Sequence, residues 1–307
     1  MLICRYKPRV VQCRVPLTVS HGLRGASLIF NRDNQSSPVL SVHRRTEDWK
    51  PTHNFTLCPA PLNRKYNKTG EFLQYIEVNG LFGADHFIFY NNSVDDDLKP
   101  FIEHYVSTGQ AEVLQWRMPP FKRNPSLMHY FGQVMAQCDC FYRAMLTSRF
   151  VVAIDMDEVI IPMGEKDNWL SVMGNTDTNV AAYIFQNTFF RKEWKQNPRF
   201  RDNELLKKYP VDALLYTKRE PKIWPHGARS KYIARPERIA LAGIHGPFQL
   251  ETGYRTSLIS SEDALLAHYR NWEDYRHAKH KEVEPRMEDF SEEILKRVSK
   301  IVETVLG

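Results

Sequence analysis

No stretch of this 307-residue chain approaches the ~20 consecutive apolar residues that a membrane-spanning helix needs. Its opening, MLICRYKPRVVQC, is too short and too interrupted by charge for a secretory signal. Cysteine is scarce. Cys4, Cys13, Cys58, Cys138 and Cys140 make an odd count with no metal-site spacing, which fits no complete disulfide framework. Charge of one sign is not abundant either: 42 Lys and Arg stand against 36 Asp and Glu, giving +6 and a pI near 9.0. With no single basic stripe, that excess argues against nucleic acid. It fits an anionic ligand or a nearby membrane surface.

Apolar residues make up 42% of the chain, ample for one large core with appendages. Four N-glycosylation triplets, at Asn34, Asn54, Asn67 and Asn91, mildly favour a secretory route. A chain working there is expected to need an anchor that this sequence does not show.

Residues 1–53 read as irregular. From Asn54 a repeating pattern begins. FTLCPAP reads as a strand stopped by prolines, and TGEFLQYIEVNGLFG as a helix capped by Thr69 with Phe72, Leu73, Tyr75 and Ile76 on its apolar face. HFIFYNNS is a second strand. DDDLKPFIEHYVSTG is a second helix, with acids at its positive end and Gly109 stopping it. AEVLQW is a third strand. SLMHYFGQVMAQCDCFYRAML is a long helix turning Leu127, Tyr130, Phe131, Val134 and Cys138 inward, and FVVAI is a fourth strand. Such alternation predicts an α/β fold with a mostly parallel, helix-flanked sheet. Ligands then bind beyond the carboxyl ends of the strands. The rim would comprise Cys58–Pro61, Asn91-Asn92-Ser93, Asp155 and Asp157.

The fourth strand carries the chemistry. In RFVVAIDMDEVIIP an apolar run enters three carboxylates, Asp155, Asp157 and Glu158. Two carboxylates on a turn can meet one cation, whereas in a regular strand they would face opposite ways. Hard oxygen ligands suit Mg2+ or Mn2+, whose natural second partner is a phosphate. Two enzyme classes end an apolar strand in D-x-D. A haloacid-dehalogenase-type phosphatase would use Asp155 as nucleophile and Asp157 as acid/base. Its motif belongs to the first strand, and neither a DD pair nor G-D-x-x-x-D follows Pro162 here. A nucleotide-sugar-dependent glycosyltransferase of the GT-A type places D-x-D after several β-α units, as here.

The ordered set FTLCPAPLNRKYN, FLQYIEVNGLFGADHFIFYNNS, RFVVAIDMDEVIIP, IHGPF and LAHYRNW resembles glycosyltransferase family 92 over roughly residues 54–273. The resemblance implies a Rossmann-related GT-A-like fold with a mixed C-terminal half. It also implies inverting, Mn2+-dependent transfer of a sugar, commonly galactose from UDP-galactose, to a glycan acceptor in the Golgi lumen. Relatives are type II membrane proteins, so membrane attachment would come only through the anchor not seen here. The metal would bridge the phosphates, and a separate carboxylate would deprotonate the acceptor. Asp155, Asp157 and His245 are the candidate metal ligands. Asn91, Asn92, Asp155 and Arg270 are the candidate nucleotide-binding residues, and Glu193 and Glu158 the candidate catalytic carboxylates. A catalytically inactive glycan-binding module on the same fold is the non-enzyme alternative.

The second half is less patterned. NVAAYIFQNTFFRKEW begins as a strand and ends in Phe189, Phe190 and Trp194, either a sugar-stacking platform beside Glu193 or ordinary core. KYIARPERIALAGIHGPF reads as two short strands followed by His245. The expected layout is an irregular segment 1–53, a glycosyltransferase domain 54–283, and an amphipathic C-terminal helix within 284–307.

Overall fold

The computed structural model describes residues 48–117, 129–174, 177–271 and 280–307, with shorter stretches between residues 11 and 45. Cys4, Cys13, Asn34 and Leu127 lie outside the described residues. The described part of the N-terminal segment contributes only two-residue strand pairs.

The β-α series is present as read. Strand β1 (His53–Leu57), helix α1 (Thr69–Leu81), β2 (His86–Asn91), helix α2 (Lys99–Ser107), β3 (Ala111–Gln115), helix α3 (Gln133–Ala144) and β4 (Ser148–Ala153) follow in order. The chain continues through β5 (Glu158–Pro162), α4 (Trp169–Met173), β6 (Val180–Phe185), β7 (Asn187–Arg191), α5 (Glu204–Lys208), α6 (Asp212–Leu215) and β8 (Lys218–Arg219). It ends in β9 (Lys231–Ala234), β10 (Arg255–Leu258), β11 (Ala264–Arg270), β12 (Glu282–Val283) and α7 (Ser291–Leu306).

The central sheet has seven strands in the order β10-β6-β9-β4-β1-β2-β3. Four of its six neighbour pairs are parallel; β9 runs antiparallel to both its neighbours. A second sheet of five strands, β12-β8-β7-β11-β5, is mostly antiparallel. The chain steps from the first sheet to the second three times, the last being the loop 259–263 between β10 and β11. The first two are the turn at 155–157 between β4 and β5 and Gln186 between β6 and β7. Because side chains alternate along a strand, a break of one residue suffices to redirect a continuous apolar run into a new sheet.

Helix α1 is buried on all sides from Gly70 to Asn79, because β5 of the second sheet, β2 of the central sheet, α6 and α7 all pack on it. It has no side-chain N-cap; Lys68 precedes it and Thr69 is its first residue. Leu98, just before α2, and Phe101, Ile102 and Tyr105 within it are inward, and Gly109 closes the turn with a left-handed φ of 75°. Helix α7 lays Ile294 and Val298 into the core, with Phe290 and Ile301 packed beside them.

The expected long helix before β4 is shorter. It starts at Gln133, preceded by left-handed backbone at Tyr130, Phe131 and Gly132. Tyr130 therefore points outward, 64% exposed, instead of into the core. Among the described residues one disulfide, Cys58–Cys140, ties the end of β1 to α3, and Cys138 is a free buried thiol.

Candidate active site

The acid turn sits where β4 leaves the central sheet. Asp155 N donates to Glu158 Oε2 (2.8 Å) and Glu158 N to the Asp155 carbonyl (3.1 Å), so the turn is closed by its own acids. Two distant strands bring cations to it. Tyr232 of β9 pairs with Ala153, which places Lys231 beside the turn. Lys231 is 1% exposed, and its Nζ lies 2.6 Å from Asp155 Oδ2 and 3.4 Å from Glu158 Oε2. His268 of β11 pairs with Glu158 of β5 across the second sheet. Its Nε2 lies 3.2 Å from Asp157 Oδ2 and its Nδ1 3.2 Å from Glu158 Oε1. Gln133, the first residue of α3, donates to Asp155 Oδ1 (2.7 Å).

Burial governs the charges. It pushes the Glu158 carboxyl up, against the pull of Lys231. Burial alone would lower Lys231 and His268. The carboxylates facing them more than reverse this and hold both pKa values above their ordinary ranges. Burial would likewise raise Asp157, but the hydrogen bond and charge of His268 hold it below the usual carboxylate range. The core of the site is thus an ion cluster of three acids against a lysine and an imidazolium. Its members compensate one another's desolvation.

This cluster opens into a cleft of about 600 Å³ lined also by Lys68, Glu71, Tyr130, Lys192, Arg229, His245 and Arg270. His245 Nδ1 lies 3.2 Å from the Ser230 carbonyl. A carbonyl only accepts, so Nδ1 carries the hydrogen and Nε2 keeps its lone pair. Desolvation and the Lys231 charge lower the His245 pKa. Its loop is tight: a Cβ on Gly243 would lie 2.4 Å from the Gly246 carbonyl oxygen.

These observations decide where the expected residues stand. Asp155, Asp157, Glu158, His245 and Arg270 share the cleft. Asn91 ends β2 and Asn92 follows it on the same rim, but neither lines the cleft; Asn92 donates to the Trp116 carbonyl (2.9 Å). Glu193 is exposed and is not part of the lining, whereas its neighbour Lys192 is. Phe189, Phe190 and Trp194 are buried and offer no open face for a sugar. Lys231, Gln133, Lys68, Glu71, Lys192 and Arg229 were not singled out from the sequence. The one signal for Lys231 is a lysine opening the apolar strand KYIA.

The family model of Glycosyltransferase family 92 matches residues 53–306, acid turn and both sheets included. The chain belongs to glycosyltransferase family 92. The match extends through α7. A glycosyltransferase family 92 protein of Caenorhabditis elegans is 27% identical over 201 residues, which are 62% of this chain. The chain spans little more than a third of that relative's length, since the match covers 37% of it. Among solved structures, a mannosyltransferase of Pyrobaculum calidifontis in complex with GDP-Man and Mn2+ aligns over 86% of this chain and 77% of its own, at 10% identity and a TM-score of 0.39. Glucosyl-3-phosphoglycerate synthase of Mycobacterium tuberculosis aligns over 81% and 80%, at 14% and 0.33. GalNAc-T7 with UDP, GalNAc and Mn2+ aligns over 69% and 43%, at 9% and 0.35. Scores this low carry no argument about the site. Family 92 membership, with the acid turn following the fourth strand of the series, leaves the phosphatase alternative without support.

Proposed function

We propose that this family 92 domain transfers a sugar, galactose from UDP-galactose, to a hydroxyl of a glycan acceptor with inversion, and that it uses Mn2+. One observation carries the reading: an acid turn at a parallel strand end shares a single cleft with Lys192, Arg229, Arg270 and His245. Among the described residues, no group of three or more His, Cys, Asp or Glu stands ready-made as a metal cage. The donor chemistry nevertheless fits. Asp157 Oδ2 is taken by His268, which leaves Oδ1, and His245 offers an Nε2 lone pair. Asp157, His245 and Asp155 would hold the cation, Asp155 sharing its oxygens with Gln133 and Lys231. When bound, the cation would supply charge neutralisation to the departing diphosphate. Lys192, Arg229 and Arg270 would bind and orient the same phosphates. Lys231 and His268 hold the acids in place.

The Cys58–Cys140 bridge supports the secretory reading, since disulfides persist in oxidising compartments, and we assign the domain to the Golgi lumen.

Calorimetry of UDP binding tests the proposal. UDP should bind with Mn2+, more weakly with Mg2+, and not in excess EDTA. His245→Ala should raise the Mn2+ concentration needed while leaving the metal-free Tm little changed, because imidazole favours transition metals. Equal UDP affinity with and without EDTA refutes the metal role. Binding of free galactosides without any UDP binding favours the inactive glycan-binding module.

A further inference from the structure

A second cavity, about 650 Å³, adjoins the first and shares Lys68, Glu71 and Lys192 with it. The two meet at the first turn of α1. Among the described residues, Glu71 is the one carboxylate that lines both. Asp155, Asp157 and Glu158 line only the first, Asp212 lines only the second and is tied to Lys192 (2.7 Å), and Glu193 lines neither. Beyond the shared residues, the second cavity sets Lys208 against Asp96, Asp97 and Asp212. Its cations do not exceed its carboxylates, so it is not built for a phosphate. Paired ammonium and carboxylate groups suit a neutral polyhydroxyl ligand, whose hydroxyls both donate and accept.

We propose that this cavity receives the acceptor, a neutral glycan, and that Glu71 removes the proton from the attacking hydroxyl. The proposal rests on the donor reading above. The acceptor oxygen bonds to the anomeric carbon as that carbon's bond to the diphosphate oxygen breaks. The bonding pair leaves with UDP, and the hydroxyl proton passes to a Glu71 oxygen and then to solvent. Glu71 is held for this. Tyr66 Oη donates to its Oε1 (2.9 Å) and Lys68 Nζ to its Oε2 (3.0 Å). Asp157 faces it from the acid turn and Lys192 from the end of β7. Burial raises its pKa above the ordinary carboxylate value, which strengthens it as a base.

The test uses UDP-galactose as donor and p-nitrophenyl β-galactoside, β-N-acetylglucosaminide and α-fucoside as probe acceptors, with water as a fourth. Glu71→Gln should lower kcat for UDP release at least 100-fold and leave UDP–Mn2+ affinity within threefold. Asp97→Asn with Lys208→Ala should raise the acceptor KM without moving the donor KM. Tyr66→Phe removes a hydrogen bond that favours the charged carboxylate. It should move the acid limb of kcat/KM to higher pH, which keeps the test open should Glu71→Gln fail to fold. Unchanged turnover in Glu71→Gln, an equal loss of UDP affinity, or an unmoved acid limb in Tyr66→Phe overturns the assignment of Glu71. A wild-type chain that binds no UDP with Mn2+ overturns the donor reading instead, and this one with it.

Discussion

At the scale of single residues, the site is an exercise in charge compensation. Glu158 is 2% exposed and cannot carry a charge without Lys231 and His268. Removing one member of a buried ion pair costs about 3–5 kcal/mol, because the partner is left unpaired. Lys231→Met is therefore expected to lower the Tm by roughly 10 °C, taking 2–4 °C per kcal/mol for a chain of this size. Asp157→Asn is different in kind. His268 keeps Glu158, so the fold survives, but a proposed metal ligand is gone. Its Tm should stay within a few degrees of the parent, while the transfer rate falls more than about 100-fold. Thermal melts and initial rates on the two variants check both outcomes. Near-normal turnover in Asp157→Asn would remove it from the metal site.

At the scale of elements, α1 sets the wall between the cavities, and its first turn is pinned by a close approach. A Cβ on Gly70 would lie 2.5 Å from both the nitrogen and the oxygen of Pro210. These are backbone atoms and cannot rotate away. Alanine in a helix interior is worth up to about 1 kcal/mol over glycine, but that gain cannot offset such a clash. Gly70→Ala should lower stability and disturb the Lys192–Asp212 pair two residues beyond Pro210. Gly80, in the last turn of the same helix, is the control. Its nearest outside atom is the flexible end of Arg297 at 3.5 Å, so Gly80→Ala should be neutral or stabilising. Denaturant midpoints for the pair decide it; equal destabilisation would mean that the Pro210 contact is not the cause.

At the scale of the whole molecule, long-range ties set the response to reduction and to acid. The Cys58–Cys140 bridge closes 82 residues of chain, and its loss is expected to cost about 2–5 kcal/mol. Cys140→Ala should show that loss under oxidising conditions and make stability insensitive to added thiol. For acid, His86 of β2 is buried at 4% exposure and stacked on His53 at 4.2 Å. Burial, helped by the neighbouring His53, lowers its pKa from 6.5 to about 4. Between those values the unfolded chain binds more protons than the native one. Stability therefore rises with pH across this window, is complete above about 6.5, and is lost as pH falls toward 4. The loss approaches about 3 kcal/mol at 1.36 kcal/mol per unit. Urea midpoints from pH 4.5 to 7.5 should show this slope in the parent and a flatter one in His86→Asn.

The β-α series from β1 to β4, the acid turn beyond it and the C-terminal helix were legible in the sequence. Each is written in local periodicity, and an apolar strand running into three acids has few bland uses. The strand end also fixed Asp155 and Asp157 at the rim. What the sequence could not show depends on partners far apart in the chain. Lys231 and His268 meet the acids through strand pairing across 76 and 111 residues. The step into a second sheet takes the single residue Gln186, so NVAAYIFQNTFFRKEW read as the start of one strand where the fold has two. Left-handed backbone at Tyr130 and Phe131 turned a predicted inward ring into the cleft. Nothing in the local pattern singles out Glu71; it is buried because α6 and α7 cover the other faces of α1. Local pattern decides which segments form strands and helices. Only tertiary packing decides which charged side chains are buried, because the energy of burying one is set by whichever opposite charge the fold brings beside it.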